Sequence, residues 1–318
     1  MVLKKFGLLA LNYLYDIFCF IKHSGVFFNN TQDKIEGKIA YYYHSIEKGL
    51  INKPIRYQFG KVKVKKLSKF LKIWLKRNYE LENTQFIAGC CVLVKYHQLH
   101  REKEMDISDI ISREEIALFS PFAIENNGGT ISFKADDYFR YAESPFESFS
   151  YSRKSVRHFS GKWVPVELIE QAVKIAGNAP SVCNRQSIRV KMINSKELTR
   201  DILKIQAGLN ATADTVKQLL IVTGNLNVFV SEVERNQMFV DGGIFLQNLL
   251  YALHYKKVAA CGLNWSKPFF FDYRIRKVLN ISHSEKIIAI VAIGYPLKTF
   301  KTPFSRRKRV SEILEIYS

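Results

Sequence analysis

Apolar residues recur at two different spacings along the chain. Up to about residue 120 they stand three and four positions apart, as in 64–75, which is typical of the buried face of an α-helix. Further on, 188–192 alternates apolar and basic residues, and 218–222 is a continuous apolar run, as in a strand covered on both faces. The pattern predicts a mainly helical region, 1–147, followed by an α+β or α/β region of strands and helices, 148–318.

One polar cluster follows this boundary. Arg153, Ser155 and Arg157 alternate, so an extended chain directs them to one side, and two guanidiniums beside a hydroxyl suit a phosphate or another planar acceptor. An amphipathic helix that begins at Pro165 and is capped by Gly177 follows, and then a polar loop that contains Ser181 and Asn184. The alternative is a basic surface strand, a core helix and a solvated loop without a ligand.

The net charge and the cysteines limit the partners and the cellular compartment that we expect for this protein. The 318 residues include 48 basic and 29 acidic ones, a formal net charge of +19, which favours a phosphorylated ligand, nucleic acid or an acidic membrane surface. Genome composition offers an alternative reason for that charge. The five cysteines form no CxxC pair, which favours a reducing, cytoplasmic location, and the seven histidines form no metal motif, so no metal is predicted.

The segment 6–21 is the one stretch that resembles a targeting element. It is apolar and follows Lys4 and Lys5, but Asn12 and Asp16 interrupt it, and it is shorter than the roughly 20 residues of a membrane span. No small-residue cleavage site follows it. We predict a core or interface helix, with docking on a membrane surface as the less favoured alternative.

Three sequence blocks stand in order along the second half of the chain. The first block is Arg-x-Ser-x-Arg-x-Phe at 153–159 with Ala-Pro-Ser-x-x-Asn-x-Gln at 179–186. The others are 259–265 and the C-terminal 293–296 with 305–310. Together the blocks resemble the nitroreductase superfamily of FMN flavoproteins, in particular its iodotyrosine deiodinase-like branch, and the resemblance covers about residues 150–318. The resemblance implies an α+β fold in which helices flank a sheet, and it also implies a homodimer. In this chain an unusual helical extension precedes that fold.

The resemblance also implies a flavin site. Arg153 and Arg307 would hold the FMN phosphate, Ser155 the ribityl–pyrimidine side, and Arg157 the region of N1 and O2. The implied backbone and partner-subunit contacts are Gly262, Leu263, Pro180, Ser181 and Asn184. No acid–base residue is assigned, because a hydride moves between stacked rings and water can supply protons.

The implied activity is ping-pong electron transfer from NADH or NADPH through FMN to a small organic acceptor. The interval between Gln186 and Asp241 is too short for the helical lid of relatives, so we predict that the region 1–147 replaces the lid or wraps a dimer. Its candidate substrate contacts are Tyr42, His44, Glu47 and Lys48, for which an ordinary exposed helix end is the alternative. The run 44–49 is similar to runs in nitroreductase-like proteins of polysaccharide gene clusters, which implies a role in polysaccharide biosynthesis.

A second class of function competes with the enzyme. The basic runs 61–66 and 306–309 fit a scaffold that binds an anionic polymer or a membrane and keeps only a vestigial flavin site. No stacked-aromatic motif accompanies these runs, so nucleic acid is not a predicted partner.

Overall fold

The computed structural model describes residues 2–124 and 127–317. They form two compact units, each described by itself. The sheet unit comprises the part up to Asn12 together with Ser132–Phe300, and the helical unit comprises Tyr13–Ile131 together with the part from Lys301 onward. This division differs from the predicted 1–147 and 148–318, because residues 132–147 belong to the sheet unit and the tail from Lys301 belongs to the helical unit.

The elements follow one another in chain order. The α-helices are α1 Val2–His23, α2 Gln32–Leu50, α3 Lys61–Lys76, α4 Thr84–Arg101, α5 Arg113–Phe119, α6 Ala135–Tyr138, α7 Phe146–Ser152, α8 Val166–Ala176, α9 Lys196–Gln206, α10 Gln237–Tyr255 and α11 Phe269–Val278. The strands are β1 Thr130–Lys134, β2 Ile188–Ile193, β3 Gln218–Asn225, β4 Ala259–Asn264, β5 Glu285–Gly294 and β6 Thr299–Pro303.

Apolar faces of α2, α3 and α4 build the core of the helical unit. Trp74 of α3 is fully buried and stacks on Phe86 of α4 with ring centroids 5.7 Å apart. Side-chain caps begin two of these helices: Thr31 precedes α2, and Asn83 accepts hydrogen bonds from the first N–H groups of α4. The helical periodicity of the sequence is therefore confirmed in this unit.

A four-stranded antiparallel sheet, in the order β2-β3-β5-β4, organises the sheet unit. Successive residues of β3 alternate between two cores: Leu219 and Ile221 pack on the side of α9 and α11, and Leu220 and Val222 on the side of α8 and α10. This alternation explains why the run at 218–222 is apolar without interruption. The α+β fold with helices on both faces of the sheet, predicted from the sequence, is confirmed.

Helix α10 approaches the sheet closely at one glycine. A Cβ added at Gly242 would lie 2.9–3.0 Å from the side chain of Ile288 in β5, whereas one added at the neighbouring Gly243 would meet nothing within 4 Å. Gly242 therefore sets the distance between α10 and β5, and its neighbour does not.

The first helix departs from the sequence-based expectation. Most large apolar side chains of α1 are exposed, so α1 is not a core helix, and its role as an interface helix stays a prediction. Within the described ranges 2–124 and 127–317, no helix combines the length and apolarity needed to cross a bilayer.

Candidate functional site

An extended segment, 153–157, carries the two arginines that sequence reasoning placed beside a cofactor. It follows α7 directly, and its central Val156 is fully buried while Arg153, Ser155 and Arg157 are each partly exposed. The N–H of Val156 donates to the carbonyl of Ala260 in β4 at 3.0 Å. Burial of Val156 and this bond fix the segment along the edge of the sheet.

Tyr138 holds the same segment from the other side. Its hydroxyl donates to the carbonyl of Lys154 at 2.9 Å and accepts the N–H of Lys154 at 3.3 Å, so one side chain engages both backbone groups of a single residue. Burial raises the pKa of Tyr138 to about 12. The hydroxyl therefore keeps its proton at neutral pH and remains a donor.

A buried histidine fixes the start of the segment. The Ser152 hydroxyl donates to the Phe149 carbonyl at 2.7 Å and lies 2.8 Å from Nε2 of His254, which therefore donates to it. Burial, and secondarily the charge of Arg153, lower the pKa of His254 to about 4. The ring is consequently neutral near pH 7, and its buried Nδ1 has no hydrogen-bond partner among the described residues.

The free edge of β4 offers backbone groups beside this segment. Ala260 and Asn264 direct their carbonyls away from β5, to Val156 and to Gln206, so alternation directs the backbone of Gly262 to the same edge. A Cβ added at Gly262 would meet nothing closer than 3.9 Å, at Leu250. By the same alternation the backbone of Leu263 faces β5, and its proposed contact with a flavin stays a prediction.

The loop 180–186 is largely exposed, and side-chain contacts hold its backbone. Cys183, Asn184 and Gln186 all have positive φ angles, of 46°, 54° and 47°, which are strained for residues other than glycine. Two contacts compensate: the Ser181 hydroxyl accepts the N–H of Gln186 at 3.0 Å, and the carboxylate of Asp241 accepts the N–H of Val182 at 3.3 Å.

Arg185 anchors the end of this loop. Its guanidinium forms a bidentate ion pair with Glu234, which lowers the pKa of that carboxyl to about 2. Pro180 and Asn184 remain exposed on the loop, and Ser181 is half-buried.

The donor set fits an anionic planar ligand such as FMN. In the described part of the chain, neither Arg153 nor Arg157 has a carboxylate partner, although both are partly shielded from water. Arg157 instead donates to the carbonyl of Ser155 at 3.2 Å. Two unneutralised guanidiniums on a fixed segment, next to a glycine edge with open space, are suited to phosphate and to an electron-rich ring.

The candidate substrate contacts in the helical unit divide into two pairs. Tyr42 and Glu47 are buried: Tyr42 stacks on Phe70, and Glu47 accepts the N–H of Gly129 at 3.1 Å. His44 and Lys48 are half-exposed, and Nδ1 of His44 lies 3.3 Å from Glu47. Contact of these four residues with a substrate stays a prediction, and His44 and Lys48 are the accessible members.

The basic tail lies in the helical unit. Lys308 pairs with Glu36, and Arg309 pairs with Glu80, Glu82 and Glu312. Arg307 is exposed, and one of its nitrogens donates to the Ser305 carbonyl at 3.0 Å. Its proposed contact with an FMN phosphate stays a prediction.

Sequence reasoning did not find Tyr138 and His254. Both act on the segment through contacts made at long range in sequence, 16 residues for Tyr138 to Lys154 and 102 residues for Ser152 to His254. Tyr138 also precedes the motif-bearing stretch. The sequence showed only that His254 belongs to no metal-binding motif, which could not reveal that this side chain is buried and neutral.

Comparison with known proteins finds a family match within the sheet unit. Residues 151–295 match the family model described as Nitroreductase family. This stretch is a little under half of the chain, and over it the chain is similar to that family.

Curated relatives share this part of the chain. Iodotyrosine deiodinase 1 of Sus scrofa is 25% identical over 194 residues, which cover 51% of this chain and 65% of that protein. Iodotyrosine deiodinase of Hydra vulgaris is 25% identical over 191 residues, covering 51% and 69%. The chain thus spans about two thirds of the length of these relatives.

Solved structures are similar over the same half. A nitroreductase-like protein from Streptococcus mutans gives a TM-score of 0.45 with 19% identity, covering 54% of this chain and 98% of that one. A putative NADH oxidase from Clostridium acetobutylicum gives 0.43 with 19% identity, covering 48% and 91%.

Proposed function

We propose that the protein is an FMN-dependent oxidoreductase that takes electrons from NADH or NADPH and delivers them, in a ping-pong sequence, to a small organic acceptor. The observation that carries the proposal is the fixed segment 153–157, whose two guanidiniums lack carboxylate partners in the described structure and whose backbone bonds to Ala260, two residues before Gly262 on the edge of β4. The family match at residues 151–295 supports the same class of chemistry.

When bound, FMN supplies two-electron transfer chemistry between a nicotinamide and an acceptor. The chain supplies binding and electrostatics. Arg153 would hold the phosphate, and Ser155 would bind along the ribityl–pyrimidine side. Arg157 would supply a permanent positive charge to the region of N1 and O2, where it would favour the more negative form of the ring. Gly262 allows close approach of its backbone because it has no side chain.

We assign a small organic acceptor rather than the iodotyrosine that the relatives' names indicate. Between Gln186 and Asp241 the chain forms β2, α9, β3, three short 3-10 helices and the start of α10, and α9 packs on the sheet. This arrangement supports the proposal that the interval supplies no separate helical lid. Accessible residues of the helical unit, His44 and Lys48, are the proposed substitutes. A role in polysaccharide biosynthesis stays a prediction from the run at 44–49.

The site is proposed to be completed in a homodimer. The loop 180–186 is largely exposed, and contacts with Asp241 and Glu234 fix its conformation. A strained and exposed loop that is held this firmly suits a contact supplied to a second subunit, as the resemblance implies for Pro180, Ser181 and Asn184.

The ion pairs in the helical unit weaken the alternative that the protein is a scaffold for an anionic polymer or a membrane. Lys61 pairs with Asp109, Lys308 with Glu36, and Arg309 with three carboxylates, so part of both basic runs is neutralised within the helical unit.

Anaerobic reduction tests the proposal. The purified protein, supplemented with FMN, should show visible flavin absorbance that NADH or NADPH bleaches and that an added quinone or nitroaromatic acceptor restores. Replacement Arg157→Gln should slow the bleaching while the FMN remains bound, since the fixed charge acts on reduction. A protein that FMN neither colours nor stabilises would overturn the proposal.

A further inference from the structure

Helix α1 exposes most of its apolar side chains, and two of its polar residues lie on its shielded side. Its exposed large apolar residues range from 42% exposed at Leu8 to 87% at Leu3, and Phe6, Leu11, Leu14 and Phe20 lie between these values. A helix on the surface of a protein in water normally shows the opposite arrangement. The exposed surface of α1 is therefore matched to an apolar surrounding.

The shielded side of α1 is a narrow stripe. Apart from Gly7, its partly buried residues are Leu9, Asn12, Asp16 and Cys19, which are spaced three, four and three apart and so lie on one face. Two of the four are polar, and Nδ2 of Asn12 is buried without a hydrogen-bond partner among the described residues. The rest of the helix circumference, about two thirds of it, carries the exposed apolar side chains.

The charges of α1 identify the surface that fits it. Lys4 and Lys5 stand near one end and Lys22 and His23 at the other, all exposed, and Nζ of Lys22 lies 5.4 Å from the centre of the Phe18 ring. Asp16 is the one acidic residue in the sequence of α1, and it lies on the shielded stripe. The exposed surface thus combines an apolar band with cationic ends.

We propose that α1 binds in the plane of an anionic lipid bilayer, with its exposed apolar band in the boundary between headgroups and acyl chains. Lysines at both ends then reach anionic headgroups, while Asn12 and Asp16 stay on the protein side. The chain carries a net charge of +19, which attracts an anionic surface. The exposed Val26, Phe27 and Phe28 extend the apolar surface beyond α1.

Vesicle flotation with the full-length protein tests the proposal. The wild type should float with vesicles of phosphatidylglycerol and phosphatidylcholine, and much less with phosphatidylcholine alone, and added salt should weaken the binding. The triple variant Phe6→Gln, Leu14→Gln, Phe20→Gln should lower the partition coefficient more than about tenfold, since each side chain loses apolar contact with lipid. Lys4→Gln with Lys5→Gln should reduce the preference for the anionic vesicles.

A matched control removes exposed apolar side chains elsewhere. Phe269, Val310 and Ile313 are 75%, 72% and 71% exposed, and their triple replacement by glutamine should leave flotation unchanged. Equal losses in the two triple variants, or no flotation of the wild type with anionic vesicles, would overturn the proposal. So would light scattering that shows a dimer dependent on Phe6, Leu14 and Phe20 without binding to vesicles. Circular dichroism checks that both triple variants remain folded.

Discussion

Replacing Tyr138 by phenylalanine tests how the arginine segment is held. The change removes one hydroxyl and keeps the ring, which packs against Phe133 and Phe300. The Lys154 carbonyl then loses its bond of 2.9 Å to Tyr138, and the Lys154 N–H loses its bond of 3.3 Å. Lys154 is half-exposed, so water can recover part of the loss.

The expected cost follows from these two bonds. One hydrogen bond contributes about 1 kcal/mol net, and a polar group left without a partner costs about 1–3 kcal/mol. We expect Tyr138→Phe to lower the free energy of unfolding by about 2 kcal/mol, measured by urea denaturation without FMN. FMN affinity should fall by about tenfold, because binding must then order the loosened segment as well.

Tyr141→Phe provides the matched control. Tyr141 lies three residues further along and is 46% exposed, so loss of its hydroxyl should change the free energy of unfolding by less than about 0.5 kcal/mol. FMN affinity should be unaffected. If the two variants behave alike in both measurements, the hydroxyl of Tyr138 does not position the segment, and the reasoning is refuted.

Two further predictions concern the same unit. The pKa of His254 is lowered from 6.5 to about 4 in the folded protein, so as the pH falls the unfolded chain binds a proton before the folded one does. The free energy of unfolding should therefore be highest above about pH 6.5 and should decrease as the pH drops to about 4. His254→Gln keeps a hydrogen-bond donor for Ser152 but cannot take up a proton. Between pH 6.5 and pH 4 its free energy of unfolding in urea should therefore fall by about 3 kcal/mol less than that of the wild type, and an equal fall in both proteins would contradict this prediction. Gly242→Ala should be about 2 kcal/mol less stable than Gly243→Ala in thermal or urea unfolding, because only the first of these side chains crowds Ile288. Equal stability of the two variants would contradict this expectation.

The sequence predicted the sheet unit well because its signals are local. Periodicity alone located β2 and β3, and the spacing of Arg153 to Arg157 indicated an extended segment, in which the structure buries Val156. These features depend on the face of a single strand or helix on which a residue lies. The spacing of apolar and polar residues in the sequence indicates that face directly.

Long-range contacts account for what the sequence did not reveal. Tyr138 and His254 reach the arginine segment through tertiary packing, and the tail from Lys301 joins the helical unit through partners such as Glu36 and Glu80. No spacing rule connects residues so far apart. The apolar pattern of α1 was visible, but the same pattern describes a core helix and an exposed one, so its exposure had to come from the structure.

Titration with FMN and with riboflavin, followed by calorimetry, tests the central claim that Arg153 binds the phosphate of a flavin nucleotide. Riboflavin lacks the phosphate, so the wild type should bind FMN more than about tenfold more tightly. Arg153→Ala should remove most of this preference, while Arg200→Ala, at an exposed position of the same unit, should retain it. A wild type that binds neither compound, or an Arg153→Ala variant with an undiminished preference for FMN, would contradict the account.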